Sequence, residues 1–194
     1  MQVLIFLVMI LKLAWAKLIY QPFIEGTKHQ VRGSNSLEDL VVLLGNTEWV
    51  KDGWKELWDS IGSAEHFQYT LDSNRIPKAG RDCDEFAVYA YAAGIRTPGL
   101  HIMQSIITVH WTSPSWWIFR KFGGHHVCAV VDEKQQLRHI GNWGMFPRGE
   151  VGYTSLRNLA FDVYQNSAAY REGGPKFLGF SVWQPGDWSA KIGK

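Results

Sequence analysis

Two periodicities divide the chain. Through its first half, apolar residues recur at the three- and four-residue spacing of helices; later they gather into short β-branched and aromatic runs. After Pro22 a polar stretch from Gly26 to Asn35 reads as a linker or surface loop. Ser36 then stands as an N-cap before Leu37-Glu38-Asp39, with Asp39 near the N3 position. Leu37, Leu40, Val41 and Leu44 follow on one helical face up to Gly45. Trp49, Trp54, Leu57, Trp58 and Ile61 predict a second, aromatic helix over residues 47–61, which Gly53 weakens. Pro77 and Gly80 make residues 75–80 a loop. From Asp82 to Ala93 a third helix is predicted, with Phe86, Tyr89, Ala90 and Ala93 as its stripe and Gly94 as its stop.

Strands are predicted over Ile102 to Trp111, His126 to Val131, Gln136 to Ile140 and Phe177 to Trp183, the second and third joined as a hairpin across Asp132 to Gln135. Helices first and strands later imply an α+β domain with an antiparallel sheet. There is no internal repeat and no low-complexity tract.

The N-terminus is set apart. Val3 to Leu11 is an uninterrupted apolar run, followed by Lys12 and Lys17. It falls short of the roughly 20 apolar residues that span a bilayer. Three readings of residues 1–20 compete. One is a secretory signal, because Ala14-Trp15-Ala16 has the form of a cleavage site, although no basic residue precedes the apolar run. Another is an interfacial membrane anchor with snorkelling lysines. The third is a helix docked on the domain. Residues 21–194 are read as a single domain. Membrane association or export follows from the first two readings, and a cytoplasmic location from the third.

Composition narrows the function. Apolar residues at 46% and charged residues at 20% are ordinary globular usage, which excludes wholesale disorder. A formal charge of +2, without a basic run, argues against a nucleic-acid partner. Ten Trp and ten Phe suit a core or cleft walled by large rings. Two cysteines, Cys83 and Cys128, exclude a disulfide scaffold but leave room for one bridge. A bridged nucleophile would be silent, so the reduced state is expected.

Cys83 lies in Gly80-Arg81-Asp82-Cys83-Asp84-Glu85-Phe86-Ala87, where a loop enters the predicted helix. The positive helix end favours a thiolate there, while Asp82, Asp84 and Glu85 oppose it. An imidazolium must outweigh them. His126 opens a strand directly after Gly123-Gly124-His125, at the rim of the sheet, where it can take a proton from the thiol and return it to a leaving amine. Asn142 lies beyond the next strand, in Ile140-Gly141-Asn142-Trp143, where a hairpin brings it back towards His126 as the residue that orients the imidazole. His139 is its rival. Taken singly, each has a plain reading too: a buried cysteine, a surface histidine, a turn asparagine.

Together these segments resemble the transglutaminase-like superfamily, and within it the bacterial transglutaminase-like cysteine peptidases. The matching residues are Asp82-Cys83-Asp84-Glu85-Phe86-Ala87, then His126 to Val131, then Ile140-Gly141-Asn142, with Ile76 to Gly80 as the approach to the cysteine. The register favours His126 over His125 as the base. Two positions depart from the pattern: Arg81 stands where the family usually has glycine, and Gly141 or Asn142 where it has aspartate. An asparagine still orients a histidine but lends no charge to it. The resemblance covers roughly residues 76–143. It implies a papain-like α+β fold with the nucleophile helix packed on the sheet. It also implies a Cys83-His126-Asn142 triad acting on peptide or protein amides through a thioester, with no cofactor and no metal. Gln68 is a side-chain candidate for the oxyanion.

Three rivals remain at this point. An NlpC/P60-type cell-wall amidase would promote His139 to the third place, but usually has serine and glycine after its cysteine. A metal site could use Cys83, His125, His126 and Cys128, though adjacent histidines on a strand point to opposite faces. A catalytically inactive module of the same fold could bind a peptide in its aromatic cleft.

Overall fold

The computed structural model describes residues 29–50, 63–74, 81–98, 105–112, 122–167, 176–184 and 187–193. Four helices occur among them: α1 (Leu37–Gly45), α2 (Ala64–Asp72), α3 (Cys83–Gly94) and α4 (Leu156–Asn166). Six strands, β1 (Ser105–Thr112), β2 (Phe122–Val131), β3 (Leu137–Gly141), β4 (Gly144–Phe146), β5 (Phe177–Gln184) and β6 (Asp187–Gly193), form one sheet in the order β4-β3-β2-β1-β5-β6. Every neighbouring pair is antiparallel. The protein is therefore α+β with an antiparallel sheet.

Strand alternation builds two cores, one on each face. Cys128 and Val130 of β2 and Ile140 of β3 face α1, α2 and α3, packing with Leu40, Leu44, Phe67, Phe86, Tyr89 and Ala93. Val127 and Ala129 point the other way, with Ile107 and Val109 of β1, into a core closed by Leu159, Ala160 and Val163 of α4.

Local chemistry explains where the elements begin. Ser36 Oγ accepts the Asp39 N–H at 3.1 Å, so α1 starts at its expected cap. The β2–β3 hairpin is built around Asp132. Its Oδ1 accepts the N–H groups of Lys134 and Gln136 at 2.9 and 2.8 Å, and its Oδ2 accepts Arg138 Nε at 2.6 Å. The Arg138 guanidinium also donates to the carbonyls of Pro147 and Glu150. Side chain and backbone thus lock the register Cys128↔Ile140.

The expected aromatic helix is corrected at its start. Residues 47–50 are not helical: Val50 forms an extended bridge with Arg81, through backbone hydrogen bonds of 2.9 and 2.6 Å. The rest of that segment lies outside the described residues. So do the N-terminal apolar run with Ala14-Trp15-Ala16, the 75–80 loop and the first residues of the predicted first strand. Among the described residues, no helix is long and apolar enough to cross a membrane.

Candidate active site

The nucleophile candidate is placed by a capping box. Asp82 is the N-cap of α3: its carboxylate accepts the Asp84 N–H at 3.3 Å, and Glu85 Oε2 accepts the Asp82 N–H at 3.0 Å. Cys83 is consequently the first helical residue, at the positive end of the helix. Phe86, Tyr89, Ala90 and Ala93 bury α3 against Cys128 and Val130, which aims its N-terminus along β2 towards His126.

His126 stands opposite Thr108 of β1, on the α3 face of the sheet. Two residues earlier β1 and β2 approach so closely that a Cβ on Gly124 would lie 2.9 Å from the Val109 carbonyl oxygen. Only glycine fits there, and this is the physical reason for Gly124 before the histidines. The result is a Cys83 Sγ to His126 Nδ1 distance of 3.9 Å. That is the loose thiol–imidazole contact expected of a resting pair. The imidazole also meets Trp183 of β5 edge-to-face, with ring centroids 6.4 Å apart and planes at 88°. Trp183 Nε1 in turn donates to Thr108 Oγ1 at 3.1 Å.

The other sequence candidates fall in distinct places. Asn142 occupies the two-residue turn between β3 and β4, and the register Cys128↔Ile140 carries it level with His126. Asn142 Oδ1 and His125 Nε2 have no hydrogen-bond partner, and the nearness of the amide favours the charged form of His125. His125 belongs to the opposite strand phase, and its ring stacks on Trp143 with centroids 4.4 Å apart. Burial, and then the charge of His126, hold its pKa down at about 3. His139 pairs with Ala129, on the α4 face of the sheet, and stacks against Phe146 and Tyr153. Burial, then His125, brings its pKa to about 3 as well. His139 therefore does not share a face with His126. Cys128 is a buried thiol without a disulfide, and burial pushes its pKa up. Gln68 is a scaffold residue rather than an oxyanion donor. Its Oε1 accepts from Tyr89 Oη at 2.8 Å and from the Arg32 N–H at 3.1 Å, and its Nε2 donates to Asp72.

The acidic flank of Cys83 is less hostile to a thiolate than its formal charge implies. Asp84 is 1% exposed, and neither carboxyl oxygen has a hydrogen-bond partner. Burial, then the charge of Glu85, holds its pKa well above the usual carboxylate range. Because the folded pKa is raised, stability from this group is complete below the ordinary carboxylate pKa and is lost as pH rises through the folded one. Asp84→Asn should therefore be more stable than wild type, with a gap that widens to several degrees in Tm as pH increases. Thermal unfolding from pH 4 to 9 checks this; a gap independent of pH contradicts it.

No protein-family model, no curated protein and no solved structure matches the chain. The site itself is a thiol at a helix N-terminus within reach of an imidazole; His126 does not open its strand as expected but lies inside β2, which begins four residues earlier at Phe122 and pairs with β1 along that length. Sequence reasoning missed Trp183 and Thr108 at this site. A tryptophan and a threonine alternating within strands carry no signal beyond ordinary packing.

Proposed function

We propose that the protein is a thiol-dependent amide hydrolase or acyl transferase, resembling the transglutaminase-like cysteine peptidases, with a papain-like arrangement of nucleophile helix and sheet. The observation that carries this reading is the 3.9 Å separation of Cys83 Sγ and His126 Nδ1. His126 takes the thiol proton, and the thiolate attacks the carbonyl carbon of an amide. The carbonyl π pair moves to oxygen. The amide N–H of Cys83 is the donor proposed for that oxyanion, because the Asp84 N–H and the N3 backbone donor are committed to the Asp82 side chain. Collapse expels the amine, which takes the proton from the imidazolium, and leaves a thioester on Cys83. Water deprotonated by His126 then releases the acid, or an amine takes its place and forms a new amide. Asn142, level with His126 in the turn after β3, is the residue proposed to complete the triad.

Acylation by p-nitrophenyl acetate tests the reading. Mass spectrometry should find one hydroxylamine-labile acetyl group on Cys83 and none on buried Cys128, and Cys83→Ala should abolish it. Acetylation confined to lysines, with Cys83 unmodified, overturns the proposal.

A further inference from the structure

The imidazole that must meet Cys83 needs something to fix its ring plane, and Asn142 Oδ1 makes no hydrogen bond. A second support is present on the same face. Residue pairing sets His126 of β2, Thr108 of β1 and Ser181 of β5 in one row across the sheet, and Ile106 and Trp183 in the row beside it. Alternation gives Thr108 and His126 the same face. From the neighbouring row, the Trp183 indole reaches back to donate its N–H to Thr108 Oγ1 at 3.1 Å. Thr108 is 8% exposed, so water has little access to the acceptor end of this part-buried bond. The hydrogen bond fixes the indole plane, and the indole meets the imidazole at 88°. An edge-to-face pair of this kind is worth about 0.5–1.5 kcal/mol beyond its area, and it is directional.

We infer that Trp183, clamped by Thr108, is a positioning residue that holds the His126 ring with Nδ1 turned to the Cys83 sulfur. The inference rests on the reading of Cys83 and His126 as a working pair. Trp183 takes no part in proton or acyl transfer. It acts through the orientation of His126, so its loss changes how often the pair is aligned.

Three variants with native circular dichroism test this: Trp183→Ala, Trp183→Phe and Thr108→Val. The readout is the rate of Cys83 alkylation by iodoacetamide from pH 4 to 10. Trp183→Ala should slow alkylation about 10-fold at pH 6 and move the profile towards that of a free thiol. Trp183→Phe keeps a ring edge but loses the clamp, and should lose about 3-fold. Thr108→Val should match it, and the double variant Thr108→Val/Trp183→Phe should be no worse than either single, because both remove one bond. An unchanged pH profile in a folded Trp183→Ala overturns the inference, as does full additivity in the double variant. The His126 ring-proton NMR resonances give an independent readout. Wild type should show an indole ring-current shift that Trp183→Ala removes, even if Cys83 proves unreactive. An unreactive Cys83 with the shift present would defeat the functional reading and leave the seat intact; absence of the shift would defeat the seat.

Discussion

His126→Ala is expected to slow iodoacetamide labelling of Cys83 at pH 6 by roughly 10- to 100-fold. An ordinary thiol with a pKa of about 8.5 is well under one per cent thiolate at that pH, whereas a thiol paired with imidazolium at a helix N-terminus is largely ionised. The lower intrinsic nucleophilicity of an acidic thiolate trims this ratio, which sets the lower bound. The helix end alone does not replace the imidazolium, because Asp82 and Glu85 stand beside it; burial, which raises the Asp84 pKa well above the usual carboxylate range, weakens the opposition from Asp84. Asn142→Ala should have a smaller effect, since an amide orients a ring without supplying charge. Peptide mapping separates the Cys83 adduct from any on Cys128. Equal labelling of wild type and His126→Ala would mean that no thiolate–imidazolium pair forms.

The second large effect is on stability. Arg138→Leu should cost about 3–5 kcal/mol, lowering Tm by roughly 6–20 °C. Arg138 and Asp132 are 4% and 8% exposed, and the guanidinium serves one carboxylate and two backbone carbonyls. Leucine leaves the Asp132 carboxylate without its cationic partner, held by the two backbone N–H groups alone, and the carbonyls of Pro147 and Glu150 without that donor. Burial alone would raise the Asp132 pKa, but the hydrogen bond from Arg138 and those from Gln136 and Lys134 outweigh it and lower the pKa. A depressed carboxylate stabilises the fold above its unfolded pKa and loses that contribution as pH falls through its folded one. The deficit of Arg138→Leu should therefore shrink towards low pH. A Tm within a degree or two of wild type at pH 7 would contradict this account of the hairpin.

What could be read from the sequence follows from how much of each signal is local. Ser36 with Asp39, and Asp82 with its capping box, are contained within four residues, and both helices begin where those residues require. The β2–β3 hairpin was legible because Asp132 to Gln135 interrupts two apolar runs. By contrast, α2 buries His66, Gln68 and Thr70 beside Phe67, so its inward face is half polar and carries no apolar stripe. In α4, Leu156, Leu159, Ala160, Val163 and Tyr164 do form such a stripe behind the Ser155 cap, so this helix is legible from local sequence although it is not among the expected elements. The expected helix over residues 47–61 gave way at its start to the Val50–Arg81 bridge, a contact between distant segments that no local window contains. The site divides in the same way. Cys83 announces itself through a helix start, whereas His126 lies inside β2, because pairing with β1 extends that strand back through the polar Gly123-Gly124-His125 to Phe122. The surroundings of Asn142 depend on a tight turn, and Trp183 reaches the site only through the pairing of β5 with β1.

The central claim is that Cys83 and His126 face each other across the α3–β2 contact. The most direct test is cross-linking with 1,3-dibromoacetone, a short reagent that alkylates a thiol and then a nucleophile within a few ångströms. With Sγ and Nδ1 3.9 Å apart, digestion should yield one major cross-linked species joining the Cys83 peptide to His126. It should be absent from Cys83→Ala and from His126→Ala. A reagent attached to Cys83 alone, or bridging Cys83 to a residue other than His126, would contradict the pair.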